Sequence, residues 1–351
     1  MSTGKVVLVT GVHGVSGRAA AEAWAAVPGT KVYGLSRRTA EVPEGVVSIA
    51  ADLMDRASLA EALKDVRGVT HIVFGAYLWQ PTPVEHVTAN VAILRNLLDV
   101  VEASSSALEH VAFYQGGKAY GADLGPFKTP AREDDPRLMP PNFYYAQEDL
   151  LRERQKGKSW TWTALRPEGT LGFGLGNPMN LGMSIAVYAT ICKELGLPFR
   201  FPGTEGAYRA LYQLTSADIL AKATVWSGQS DAAKNEIFNI TNGDYIRWQH
   251  LWPRIGKMFG LEVAEPVPTP LAVYMADKGP LWEEIVRKYN LRPLPFEQVA
   301  SWYFADAIFR LDYDNISSTI KARQAGFHDC IDTEAMFAEF FAGLRRERII
   351  P

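Results

Sequence analysis

Only two cysteines, Cys192 and Cys330, occur in the chain, which excludes a disulfide-built scaffold and a cysteine-based metal cluster. A reducing compartment is the expectation. No stretch reaches the roughly 18 consecutive apolar residues that a membrane-spanning helix needs. The start, Met1-Ser2-Thr3-Gly4-Lys5, leads straight into a strand without the apolar region or cleavage site of a secretory leader, so a cytoplasmic location is expected. Charge of one sign is scarce too: 36 Lys and Arg against 39 Asp and Glu leave a net charge of -3. No nucleic-acid or anionic-lipid partner is expected, because no overall basic field exists to hold one. Repeats and low-complexity segments are missing as well. At 351 residues and 47% hydrophobic, the chain has the length of about two domains and enough apolar material to bury a core unaided.

What is present is an alternation. Residues 5–10 (KVVLVT) form a continuous apolar run of strand length, as in a parallel strand buried on both faces. Further strands are predicted over 31–35, 46–50, 69–74, 110–114 and 160–165. Helical patterns over 16–26, 56–64, 84–103 and 143–154 separate them. In the third of these helices Val87, Val91, Leu94, Leu97, Leu98 and Val101 recur at three- and four-residue spacing, so one face is buried. Strands alternating with helices across short links predict an α/β fold, a doubly wound parallel sheet of the Rossmann type. Beyond residue 170 the rhythm changes to a helix-rich stretch with aromatics throughout its tail. The expected organisation is a nucleotide-binding domain over 1–170 and a smaller substrate domain over 171–351, partly interwoven with the sheet.

The first turn carries Thr10, Gly11, His13, Gly14, Val15 and Gly17 between a strand and a helix. Gly11 suits the tight turn, Gly14 a close approach to a pyrophosphate, and Gly17 close packing of helix on strand. Helix amides there attract phosphate charge. His13 is read as a loop residue that shapes this turn. After the second strand an NAD enzyme normally places an acid for the ribose hydroxyls. This chain has Ser36-Arg37-Arg38 instead, and guanidinium groups grip a 2′-phosphate that a carboxylate would repel. NADPH is the predicted cofactor. Asp52 and Leu53, after the third strand, are candidates to face the adenine.

At the chemical end the usual short-chain dehydrogenase signature, a Tyr four residues before a Lys on the helix after strand five, is lacking. The helix reads Asn142-Phe143-Tyr144-Tyr145-Ala146-Gln147-Glu148-Asp149, and four residues beyond Tyr145 stands Asp149. A lysine appears instead in Gln115-Gly116-Gly117-Lys118-Ala119-Tyr120-Gly121, directly after the strand. Lys118 is thus placed to supply a cation from a different element, while Tyr144 reads as a packing residue.

These two segments resemble the progesterone 5β-reductase and iridoid synthase-like enzymes, an atypical branch of the extended short-chain dehydrogenase/reductase superfamily. The likeness runs through Arg166-Pro167, residues 180–192, 197–204 (LPFRFPGT), 239–248 (NITNGDYIRW), 302–306 (WYFAD) and the closing Ile349-Ile350-Pro351. It implies NADPH-dependent reduction of a C=C bond conjugated to a carbonyl, with Tyr145 and Lys118 as the catalytic pair. Departures from the plant members include Tyr77, where a Trp is frequent, and a shorter link between Tyr120 and Asn142. The substrate pocket is expected to draw on Tyr77, Phe143, Phe173, Tyr188, Tyr303 and Phe304. A small, largely apolar enone or enal is the expected substrate and a homodimer the expected assembly. A carbonyl reductase using the same groups, and a non-enzymatic NADPH sensor, are the competing readings.

Overall fold

The computed structural model describes residues 4–39, 41–177 and 179–351. The strands are, in chain order, β1 (Val6–Thr10), β2 (Lys31–Ser36), β3 (Val46–Ala50), β4 (His71–Phe74), β5 (His110–Tyr114), β6 (Thr161–Pro167), β7 (Thr170–Leu171), β8 (Phe199–Arg200), β9 (Thr215–Ser216), β10 (Glu236–Ile240) and β11 (Val263–Ala264). Seven of them form one sheet in the order β10-β6-β5-β4-β1-β2-β3, every neighbour parallel. Two short ladders, β7 with β9 and β8 with β11, lie outside it. Strand order reverses between β1 and β4, which opens a ligand crevice at their carboxyl ends. β6 runs two residues past its expected end at Leu165, because β10 pairs with it as far as Ile240 opposite Pro167.

The helices of the first half are α1 (Val15–Ala25), α2 (Arg56–Ala62), α3 (Pro83–Ser104) and α4 (Phe143–Gln155). Local chemistry fixes their starts. Thr82 caps α3 by accepting from the Glu85 amide and donating to the Glu85 carboxylate, with Pro83 in the first turn. Asn142 caps α4 through the Tyr144 amide. α3 and α4 lie side by side against the sheet, and α1 packs against α7 (Ala217–Ser227). Leu8, Ile72, Phe113 and Trp162 fill the core between sheet and helices.

The later chain adds α5 (Leu181–Glu194), α6 (Glu205–Arg209), α8 (Trp248–Phe259), α9 (Leu271–Tyr274), α10 (Gly279–Lys288), α11 (Phe296–Val299), α12 (Trp302–Ile308), α13 (Ile320–Gln324) and α14 (Thr333–Arg346). α5 is buried at every residue from Leu181 to Cys192, the mark of a helix at the centre of a lobe. Around it Phe199 stacks on Trp252 at 4.3 Å, and Phe201, Trp248 and Phe309 close the cluster. Most aromatics of the tail are spent on this second core. Among the described residues no helix is long and apolar enough to cross a membrane.

Candidate active site

At the crevice Gly11 adopts φ 71°, and a Cβ there would stand 2.6 Å from the carbonyl oxygen of Gly75. A Cβ on Gly17 would meet the Gly11 oxygen at 2.3 Å, so helix and turn close only on glycine. The buried Thr10 hydroxyl accepts from the amides of Gly75 and Ala76, each at 3.1 Å, and ties the ends of β1 and β4 together. Gly14 gives α1 no side-chain cap, and Val15 behind it is buried. The first-turn amides of α1 are donors suited to an anion. Asn177 overhangs the turn, its Nδ2 3.4 Å from where a Gly14 Cβ would be.

Arg37 and Arg38 are exposed at the end of β2, and neither has a carboxylate within 4 Å among the described residues. The His13 ring bonds the Arg38 carbonyl at 3.2 Å, and the Ser36 hydroxyl donates to the same oxygen. Asp52 is exposed and accepts from the Met54 amide at 2.9 Å, whereas Leu53 is buried. Helix-start amides and the glycine turn suit the pyrophosphate of a dinucleotide, and a basic pair stands where a ribose-binding acid is usual.

The chemical end gathers at the carboxyl end of β5. Here the structure separates the two adjacent tyrosines. The Tyr145 hydroxyl donates to the Ala119 carbonyl at 2.8 Å and accepts from the Leu138 amide at 3.1 Å, and its ring lies under the Arg137 guanidinium. It is a buried strut between α4 and the loop before it. Tyr144 is turned toward the crevice: its hydroxyl lies 3.4 Å from where a Gly116 Cβ would stand and has no hydrogen-bond partner among the described residues. Burial, with Tyr77, Glu168 and Asp123 nearby, pushes this phenol up, and the Arg166 guanidinium pulls the other way.

Helical spacing explains the split. Tyr144 shares a face with Glu148, and that face meets the sheet. Burial raises the Glu148 carboxyl, but Arg137, Arg152 and Arg166 outweigh it and hold the acid below the usual range. Tyr145 shares the other face with Asp149, which pairs with Arg137 at 2.7 Å. An arginine-bound glutamate thus occupies the place, four residues after the crevice tyrosine, where the superfamily keeps its lysine.

Lys118 sits in a short 3-10 turn, Gly117–Tyr120, with its ammonium half exposed and 4.0 Å from Asp123. Asn142 joins the two elements. Its Nδ2 donates to the Lys118 carbonyl at 2.9 Å while its Oδ1 accepts from the Tyr144 amide at 2.9 Å. His86 closes one wall, stacked on Phe143 at 4.8 Å and 5.1 Å from Tyr77. Burial and the Lys118 charge hold its imidazole below the usual range. Asn90 shapes the neighbouring loop by bonding both the amide and the carbonyl of Leu78.

Of the six aromatics expected in the pocket, the structure brings Tyr77 and Phe143 to Tyr144. Phe173 lies under the Arg18 guanidinium of α1 and packs on the second core, as does Phe304. Tyr188 belongs to that core, with its hydroxyl on the Arg200 carbonyl, because α5 buries all its faces. Tyr303 is 84% exposed on the outer face of α12. In the sequence Tyr144 reads as a packing residue, and Asn142, His86 and Glu168, which also line this region, carry no assigned role. Asn142 alone left a signal, as a cap residue directly before the aromatic run.

A family model described as a PRISE-like Rossmann-fold domain matches residues 47–351. The chain is 35% identical over 369 residues to an (S)-8-oxocitronellyl enol synthase of Camptotheca acuminata, covering 99% of this chain and 93% of that one. It is 33% identical over 365 residues to a 3-oxo-Delta(4,5)-steroid 5-beta-reductase of Arabidopsis thaliana, again covering 99% and 93%. Among solved structures, the UDP-glucose 4-epimerase of Thermus thermophilus in complex with NAD superposes with a TM-score of 0.66 at 20% identity, over 97% of this chain and 99% of that one. That likeness is one of fold.

Proposed function

This chain belongs to the progesterone 5β-reductase/iridoid synthase-like (PRISE-like) family of Rossmann-fold proteins, and we propose that it reduces C=C bonds conjugated to a carbonyl at the expense of NADPH. The observation that carries the reading is the placement of Tyr144 and Lys118. An unpartnered phenol and an ammonium come from different elements to the carboxyl end of β5, held in register by Asn142. One relative is named for making an enol and another for reducing a 3-oxo-Δ4,5 steroid. An enolate is what 1,4-addition of hydride to an enone yields.

The glycine turn and the first-turn amides of α1 would hold the pyrophosphate, and Arg37 and Arg38 the 2′-phosphate. Bound there, the dihydronicotinamide supplies a hydride to the carbon β to the carbonyl. Negative charge then gathers on the substrate oxygen. Tyr144 donates to that oxygen, and the positive charge of Lys118 stabilises the negative charge gathering there, an oxyanion hole built from side chains. The α-carbon takes its proton from water, so no further acid is required. Tyr77, His86 and Phe143 present a largely apolar wall, which suits a small apolar enone or enal.

In this reading Tyr145 gives up the catalytic role to Tyr144 and keeps a structural one. The test is product analysis after incubation with NADPH and 2-cyclohexenone. The saturated ketone is the expected product; allylic alcohol would make the protein a carbonyl reductase. Tight NADPH binding without turnover of any enone or enal would make it a sensor. By analogy with the superfamily we place the assembly as a homodimer through α3 and α4. Light scattering should give about twice the 38.8 kDa of one chain, and a mass of one chain would refute the dimer.

A further inference from the structure

Glu168 follows Arg166-Pro167 at the end of β6 and is 4% exposed. Its carboxyl presses on the catalytic loop from behind: the two oxygens lie 2.9 and 3.0 Å from where a Gly117 Cβ would stand, one residue before Lys118. Around it are Tyr144 from α4, Tyr212 from the segment before β9, and the uncharged Ser317 and Asn315 from the strap that leads into α13. Lys118, one residue beyond Gly117, is turned to Asp123 at 4.0 Å. Arg166, on its own strand, is turned to Gln115 at 2.6 Å and Glu148 at 3.6 Å. No lysine or arginine nitrogen reaches Glu168 within 4 Å among the described residues. A buried carboxylate without a cation is unfavourable.

The pocket is also short of donors. Ser317 Oγ donates to Glu168 Oε1 at 3.2 Å, while Asn315, set against Glu168 as well, keeps its side-chain Oδ1 buried with no hydrogen-bond partner among the described residues. A proton on the carboxyl supplies the missing donor.

We propose that Glu168 is a positioning residue of the reductase site, an acid that must be neutral for the phenol in front of it to stabilise an enolate. The proposal rests on the ene-reductase reading. Ionised, Glu168 sets a second negative charge beside the one that develops on the substrate oxygen, in a place where water screens poorly. Neutral, it keeps Gly116–Gly117 braced on the strap and adds no second negative charge to that of Asp123 against the field of Lys118. Burial lifts this carboxyl to about 7, against the opposite pull of its bonds from Ser317 and Asn315, so the two states exchange near neutrality. His86, held below its usual range, titrates on the acid side of that point.

The experiment is the pH dependence of kcat/KM for 2-cyclohexenone with NADPH, in the wild type, Glu168→Gln and Ser317→Ala. The wild type should lose about tenfold between pH 6 and pH 8, one pK unit of coupling. Glu168→Gln should stay within about twofold over the same range. Ser317→Ala, which removes a bond to the ionised form, should move the decline to higher pH. An equal decline in the wild type and Glu168→Gln overturns the role. Infrared spectra give a readout free of turnover: a carbonyl band of a buried protonated acid at pH 6, fading by pH 8 and missing in Glu168→Gln. No such band in the wild type overturns the proposal. A band in a protein that reduces no enone overturns the ene-reductase reading, and the role of Glu168 with it, while leaving its protonation established.

Discussion

In the proposed reading Arg37 and Arg38 set the cofactor choice, and among the described residues neither has an acidic partner to leave. Each charge-assisted contact with a 2′-phosphate is worth about 1.5–3 kcal/mol. Arg37→Ala/Arg38→Ala should therefore raise KM for NADPH at least about tenfold while moving KM for NADH by less than about twofold. Steady-state kinetics with both nucleotides decide it, and an unchanged ratio would refute the assignment. The departure at these arginines is visible by inspection, because an acid has a fixed place after strand two. The tyrosine pair was not. Tyr144 and Tyr145 differ by about 100° on one helix, and nothing in NFYY says which side meets the crevice. The answer comes from the chain returning at Leu138 and Ala119 to engage one hydroxyl, a tertiary event. Aromatics of the tail misled for a related reason: Tyr188 and Tyr303 have the chemistry of pocket walls, but one is in a core and the other in solvent.

At the scale of elements, the site is a junction of a 3-10 turn and a helix start, and Asn142 is the pin between them. Capping alone predicts that Asn142→Ala costs about 1 kcal/mol of stability. The bond to the Lys118 carbonyl adds a second consequence: turnover should fall about tenfold or more with KM for NADPH little changed, since misplacing a catalytic group acts on the transition state. Urea melts together with kinetics separate these effects; a stability loss with full turnover would reduce Asn142 to a cap. The strands, the crossovers and the glycine turn could be read directly, because buried parallel strands are continuous apolar runs and helices have their own period. The place of β10 in the sheet, next to β6, could not be read, since its partner lies far back in the chain, with Thr163 opposite Glu236.

Across the whole molecule, function and stability separate to opposite ends of the sheet. The proposed chemistry is at the carboxyl ends of the strands, while His71 and His110 face each other across the amino ends of β4 and β5. Burial holds both imidazoles below their usual range, His110 at about 3, and His110 Nε2 is buried without a hydrogen-bond partner among the described residues. The unfolded chain takes up this proton near pH 6.5, the folded chain only near 3. Between those values the unfolded state binds more protons, so acid erodes stability by about 1.4 kcal/mol per pH unit through His110. Compared with His110→Gln, the wild type should lose about 2–3 kcal/mol of its relative stability between pH 6.5 and 4.5 in urea titrations. Parallel curves would contradict the neutral buried pair. Which phenol holds the substrate oxygen decides the proposed chemistry, and turnover of 2-cyclohexenone by Tyr144→Phe and Tyr145→Phe tests that most directly. Tyr144→Phe should lose about 10²–10³ in kcat, whereas Tyr145→Phe should keep kcat within about tenfold and lose about 1 kcal/mol of stability. Full turnover by Tyr144→Phe, or the larger loss in Tyr145→Phe, would contradict it.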